Sequence, residues 1–130
     1  MKWSREWQMV FNTDKCTVMH IGNRNQRGKT YYMESHKLQE CHEEKDLGVL
    51  VSDDLKVGSQ CNQAFSKANW MLGILKRNIV NKTPLIMLNL YKTLVRPHVE
   101  YCVSTWSPHY VKDKNTLEHI QHRFTTLIPQ

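Results

Sequence analysis

The sequence predicts an α+β fold: a small antiparallel sheet with one N-terminal helix, followed by a three- to four-helix bundle. Two observations carry this. Across residues 1–55, short runs of β-forming residues alternate with clusters of Gly, Asn, Asp and Ser; from residue 59 the apolar residues recur at helical spacing. Charge divides at the same place. Residues 1–55 hold 8 Lys and Arg against 9 Asp and Glu, whereas residues 56–130 hold 10 against 3, so the formal net charge of +6 comes entirely from the second part. We therefore divide the chain into a β region, 1–55, and a helical region, 56–130.

Taken in order, Trp3 and Trp7 lie four apart on one face of a short first helix, with no capping residue or turn before it, as at a truncated start. Asn12, Thr13 and Asp14 are turn residues, and residues 15–21 (KCTVMHI) read as a strand. Residues 22–28 form a loop. Residues 30–33 and 37–40 pair as a hairpin across residues 34–36. Residues 46–51 (DLGVLV) are the clearest strand, ending at the turn residues Ser52, Asp53 and Asp54. Such pieces give only a thin core.

In the helical region Cys61, Ala64, Phe65, Ala68, Leu72, Leu75 and Ile79 form a one-face stripe. Thr83 followed by Pro84 is a helix start, a capping side chain and then a proline that needs no N–H partner. Leu85, Leu88, Tyr91, Leu94 and Val95 carry that helix onward. Pro97 breaks or kinks it. A short helix restarting there turns Val99, Cys102, Val103 and Trp106 inward, until residues 107–109 (SPH) end it. Asp113 caps a last helix whose inner side carries Leu117, Ile120, Phe124 and Leu127, with its negative charge at the end the dipole favours.

Hydrophobic residues at 40% and charged residues at 23% suit a folded chain of one domain's length. The basic helical region favours a polyanionic partner. Cys16, Cys41, Cys61 and Cys102 are dispersed with no C-x-x-C pair, residues 1–8 lack an apolar run, and no segment is long and apolar enough to span a bilayer. These features predict an intracellular protein with reduced, buried thiols and no membrane partner, the nucleus or cytoplasm undecided. His119 and His122 share a helical face, but zinc wants about four ligands and no second pair has suitable spacing, so neither metal nor cofactor is expected. Serines, cysteines and histidines occur without a triad-like context.

On the first long helix, with the core stripe facing inward, Gln63, Trp70 and Arg77 fall seven apart on the opposite face, with Lys67 at the flank. An outward Trp among cations suits contact with a nucleic-acid backbone. Equally, Trp70 covers an absent neighbour or packs on the sheet. Lys92, Arg96 and Arg123 are secondary candidates, Arg96 also being placed to pair with Glu100 one turn on. Tyr91, Tyr101, Trp106 and Phe124 read as core.

Four blocks resemble, in order, the reverse transcriptases of LINE-type (non-LTR, jockey-like) retrotransposons. Residues 7–22 (WQMVFNTDKCTVMHIG) are similar to the helix-to-strand segment that follows that family's catalytic aspartates. Residues 45–51 (KDLGVLV), marked by Lys45, Asp46 and Gly48, resemble its primer-gripping hairpin. Residues 67–77 (KANWMLGILKR) resemble its first thumb helix. Residues 94–109 (LVRPHVEYCVSTWSPH) and 117–124 (LEHIQHRF) complete the match, which spans nearly the whole chain. The resemblance implies the end of a palm plus a thumb, with the 1–55 region primer-grip-like, lying along RNA or an RNA–DNA duplex and contacting its backbone without reading sequence. Family polymerisation needs carboxylates holding two metal ions about 4 Å apart, in an aromatic-Ala-Asp-Asp turn. These 130 residues contain no such turn, and Val51 and Ser52 precede Asp53 and Asp54, which read as turn chemistry. Residues 1–130 are therefore not expected to add nucleotides alone. Alternatives are a helical protein-interaction module serving acidic surfaces, self-association through apolar surface exposed by the missing palm, or a translated mobile-element remnant under no selection.

Overall fold

The computed structural model describes residues 2–22 and 28–128, so most of the loop expected at 22–28 lies outside the described residues. The fold is α+β, and the chain divides into two compact units: residues 1–44 with 52–55, and residues 45–51 with 56–130. The expected boundary at residue 55 is thus crossed by a hairpin whose inner residues, 45–51, belong to the helical unit.

The first unit contains helix α1 (Lys2–Glu6), a 3-10 turn (Thr13–Lys15) and four two-residue strands: β1 (Thr17–Val18), β2 (Tyr32–Met33), β3 (His36–Lys37) and β4 (Gln39–Glu40). β2 and β3 pair antiparallel, Tyr32 opposite Lys37 and Met33 opposite His36, with Glu34 at a positive φ of 57° in the turn; the hairpin is shorter than the expected pairing of 30–33 with 37–40, because His36 is in the strand and residues 39–40 pair with β1. β1 and β4 instead pair in parallel, Thr17 opposite Gln39. The β region is therefore a set of two-stranded ladders, and the strand expected over residues 15–21 shrinks to two residues. Polar contacts tie the unit: Thr17 Oγ1 donates to Glu44 at 3.0 Å, and His42 Nδ1 lies 2.8 Å from Asp53 Oδ2. Ser52 Oγ donates to Asp54 at 2.7 Å, so Asp53 and Asp54 do serve a turn. Among the described residues, none of the buried apolar side chains belongs to this unit.

Strands β5 (Glu43–Asp46) and β6 (Val49–Ser52) form a hairpin. Leu47 and Gly48, with φ of 45° and 88°, make a two-residue turn, a connection that admits only antiparallel pairing. The run 46–51, expected as one strand, is thus folded over at its second and third residues. Leu47 is 83% exposed, a turn residue with an apolar side chain, which is why composition hid the turn.

The helical unit is built on α2 (Gly58–Asn78), whose predicted stripe is buried at Cys61, Ala64, Ala68, Leu72 and Leu75. Helix α3 (Pro84–Leu90) starts at Pro84 as expected, with Thr83 in an extended cap conformation but making no side-chain capping bond. A π-turn (Tyr91–Val95) follows, and then α4 (Arg96–Glu100). Pro97 has no N–H for the carbonyl of Thr93, four residues back, and its ring would crowd it. The wider π-turn, closed by the Arg96 N–H on the Tyr91 carbonyl, accommodates the proline without ending the helical path. Met87, Tyr91 and Val95, four apart, are buried, while Leu85, Leu88 and Leu94 are exposed.

Cys102 sits in the left-handed region (φ 52°), ending α4 and redirecting the chain into α5 (Val103–Trp106). That reversal leaves Cys102 and Val103, both expected inside, exposed, and buries Trp106 to 2%. In the last helix, α6 (Val111–Thr125), Tyr110 occupies the cap position and Asp113 lies in the first turn rather than capping. Asp113 is buried against the start of α2: a Cβ built on Gly58 would lie 3.8 Å from Asp113 Oδ1. Ile120 and Phe124 join Ala68, Leu72, Leu75, Met87, Tyr91 and Val95 in one cluster; Val49, Cys61, Ala64 and Trp106 form a second. Each fully buried large apolar side chain there contributes about 1.5–3 kcal/mol.

Candidate functional site

Residues of the hairpin, α2 and α4 enclose a groove of about 290 Å³ lined by Lys45, Gln63, Lys67, His98 and Tyr101, among others. Pro97 and Tyr101 also wall a second groove of about 460 Å³, whose lining adds Lys92, Arg96 and Glu100. All of these residues belong to the helical unit. The two grooves have Pro97 and Tyr101 in common, and their linings together make up a cationic track of Lys45, Lys67, Lys92 and Arg96, with the Glu100 carboxylate beside Arg96.

Each cation reaches the track for a local reason. Lys67 lies on the flank of α2 away from its core stripe, and its Nζ donates to Gln63 Oε1 at 3.1 Å, one helical turn away. Arg96 is paired, its Nε donating to Glu100 Oε1 at 2.5 Å; that hydrogen bond pushes the guanidinium pKa further above its ordinary value. Lys45 is exposed just before the hairpin turn, with Asp46, also exposed, beside it. Gly48 packs under Tyr101: a Cβ there would lie 3.3 Å from the ring, so the glycine serves both a tight turn and a close approach.

Trp70 and Arg77 stay on the outer face of α2, exposed along with Lys67, as its periodicity requires. Trp70 is 63% exposed, so it is not packed on a sheet. Arg77 Nε donates to the Gly73 carbonyl at 3.3 Å. Arg123 is not on the track. Its guanidinium binds the side chain of Asn69, tying α6 to α2.

Tyr101 corrects its expected place in the core: it is 53% exposed and lines both grooves, whereas Tyr91, Trp106 and Phe124 are buried. Gln60, His98 and Tyr101 were missed as site residues. Nothing local marks them, because the hairpin that completes the groove lies far away in sequence. The hairpin is fixed over α2 at two points. Gln60 Oε1 accepts the Leu50 N–H at 2.9 Å, and Tyr101 Oη donates to the Leu47 carbonyl at 2.8 Å.

Among the described residues no group of three or more His, Cys, Asp or Glu is placed to hold a metal ion. His119 lies edge-on to Phe65, with His122 beyond it at 6.5 Å between ring centroids. No helix among the described residues is long and apolar enough to cross a membrane. Beside the track, the site offers amide and hydroxyl donors and one broad aromatic ring, a set suited to gripping an anionic backbone by charge and shape.

The chain matches no protein-family model, no characterised protein and no solved structure.

Proposed function

We propose that residues 1–130 are the end-of-palm and thumb portion of a LINE-type reverse transcriptase that grips RNA or an RNA–DNA duplex by its backbone, without sequence preference and without adding nucleotides alone. The cations lining two grooves that share Pro97 and Tyr101, Lys45 and Lys67 in one and Lys92 and Arg96 in the other, carry this reading. Its support is twofold. Of these four cations, Lys67, Lys92 and Arg96 lie in the region that holds all the positive excess, and Lys45, Lys67 and Arg96 belong to blocks of the resemblance. Cations spaced along a groove bind phosphates by releasing counterions, which makes affinity fall steeply with salt. Trp70 and Arg77 extend the grip along the outer face of α2. The setting is intracellular, where such duplexes are made.

Titration of a labelled RNA–DNA hybrid at several salt concentrations tests this. Binding that weakens linearly in log–log form with salt is expected; no binding at low salt, or binding indifferent to salt, overturns it.

A second reading, self-association, draws on Trp3, Trp7, Val10 and Phe11, all exposed in a unit with no buried apolar residue among those described. Sedimentation at two protein concentrations, with and without the hybrid, separates the two. A mass that grows with protein concentration alone favours self-association.

A further inference from the structure

We infer that Tyr101 is a positioning residue: through its hydroxyl bond to the Leu47 carbonyl it sets the hairpin over α2, so that Lys45 and Lys67 take phosphates of the same strand. This rests on the nucleic-acid reading above and names the device that makes its groove.

The hairpin has few means of holding itself. A two-stranded ladder is marginal alone, and this one turns on an exposed Leu47 at positive φ. Tyr101, by contrast, is anchored from behind. Its N–H donates to the Pro97 carbonyl at 3.0 Å, and its own carbonyl accepts the Trp106 indole N–H at 2.7 Å. Trp106 is in turn packed with Val49, the residue after Gly48. Tyr101, Trp106, Val49 and Gly48 thus close a ring of contacts between segments 54 residues apart. The left-handed turn at Cys102 brings Trp106 back under Tyr101.

The ring of Tyr101 also faces the groove, so stacking on a base or sugar is the competing role. Tyr101→Phe separates the two, because it keeps the ring and deletes only the hydroxyl. Binding of a labelled RNA–DNA hybrid of two helical turns is measured across salt for the unaltered chain, Tyr101→Phe, Lys45→Ala and the double variant. Positioning predicts that Tyr101→Phe weakens binding about fivefold and lowers the salt slope by about 0.9, the value for one phosphate contact. Lys45→Ala should do the same, and the double variant should bind no more weakly than Lys45→Ala alone. A loss of general stability would not move the salt slope or produce that non-additivity.

Hydrogen exchange on the unaltered chain provides a second measurement that needs no variant. Added hybrid should slow exchange in residues 45–51 and 96–101 together. Equal binding by Tyr101→Phe, additive losses in the double variant, or exchange slowed in only one of the two segments overturns the inference. Failure of the unaltered chain to bind the hybrid at low salt overturns the underlying reading and the inference with it.

Discussion

The ring of Tyr91 lies stacked on that of Phe124, their centroids 4.3 Å apart and their planes 25° from parallel. The pair joins the π-turn before Pro97 to the last helix inside the main core cluster. Burial of so much aromatic surface, with an added stacking preference, makes it a principal tie between two segments that share no turn. Phe124→Ala is therefore expected to destabilise the fold by about 3–5 kcal/mol, leaving a cavity that neighbours fill incompletely. Urea unfolding measures this, and a loss below about 1 kcal/mol would show that the helices are held mainly by other contacts.

Cys61 makes the helical unit sensitive to alkali. Burial, reinforced by the nearby charge of Asp113, pushes its thiol from 9.0 up to about 11. Below pH 9 the folded and unfolded chains both keep the proton, so the contribution is complete. Between pH 9 and 11 the unfolded chain releases its proton first, and stability falls. Burial and Glu100 likewise raise Tyr91 above its ordinary 10.0, adding to the loss at the upper end. Thermal melts from pH 8 to 11 should show a falling Tm that is shallower in Cys61→Ala. Parallel curves for the two proteins would exclude the thiol as the cause.

Two glycines respond oppositely to alanine. Gly48 has φ of 88° with the Tyr101 ring 3.3 Å from where a Cβ would stand, so Gly48→Ala costs about 1–3 kcal/mol in strain and displacement. Gly73 lies inside α2 with open space at its Cβ, and Gly73→Ala should stabilise by about 0.5–1 kcal/mol. Denaturant midpoints of both variants decide the matter; a destabilised Gly73→Ala would mean that the outer face of α2 is covered in solution.

Trp70 and Arg123 separate binding from folding. Trp70 is exposed, so Trp70→Ala should leave stability within about 0.5 kcal/mol while weakening hybrid binding by about 1–3 kcal/mol if a base or sugar stacks on it. Arg123 is bound to Asn69, so Arg123→Ala should lower the melting temperature and leave the salt slope unchanged. A lowered slope for Arg123→Ala would place that arginine on the nucleic acid after all.

Helical periodicity and turn chemistry made much of this architecture legible in the sequence. The α2 stripe, the start at Pro84, the hairpin near residue 35 and the outward Lys67, Trp70 and Arg77 all follow from local rules, since side-chain direction in a helix is set within a few residues. The errors fell where two segments negotiate. On the helix before Pro97, Met87 is inside and Leu88 outside, and the left-handed turn at Cys102 left Cys102 and Val103 outside while letting Trp106 in. Leu47 looked like strand because an apolar residue in a turn carries no local mark.

Local residue pattern therefore specifies the class of fold, the helices, the buried face of α2 and the placing of positive charge on the second region. Only the tertiary structure decided that Lys45 and Lys67 share a groove, that Tyr101 walls it and that Arg123 is engaged elsewhere. The physical reason is range: backbone propensity and side-chain period act over a few residues, whereas the Tyr101 bond to Leu47 joins positions 54 apart. Such a bond exists only once both clusters of the core have packed.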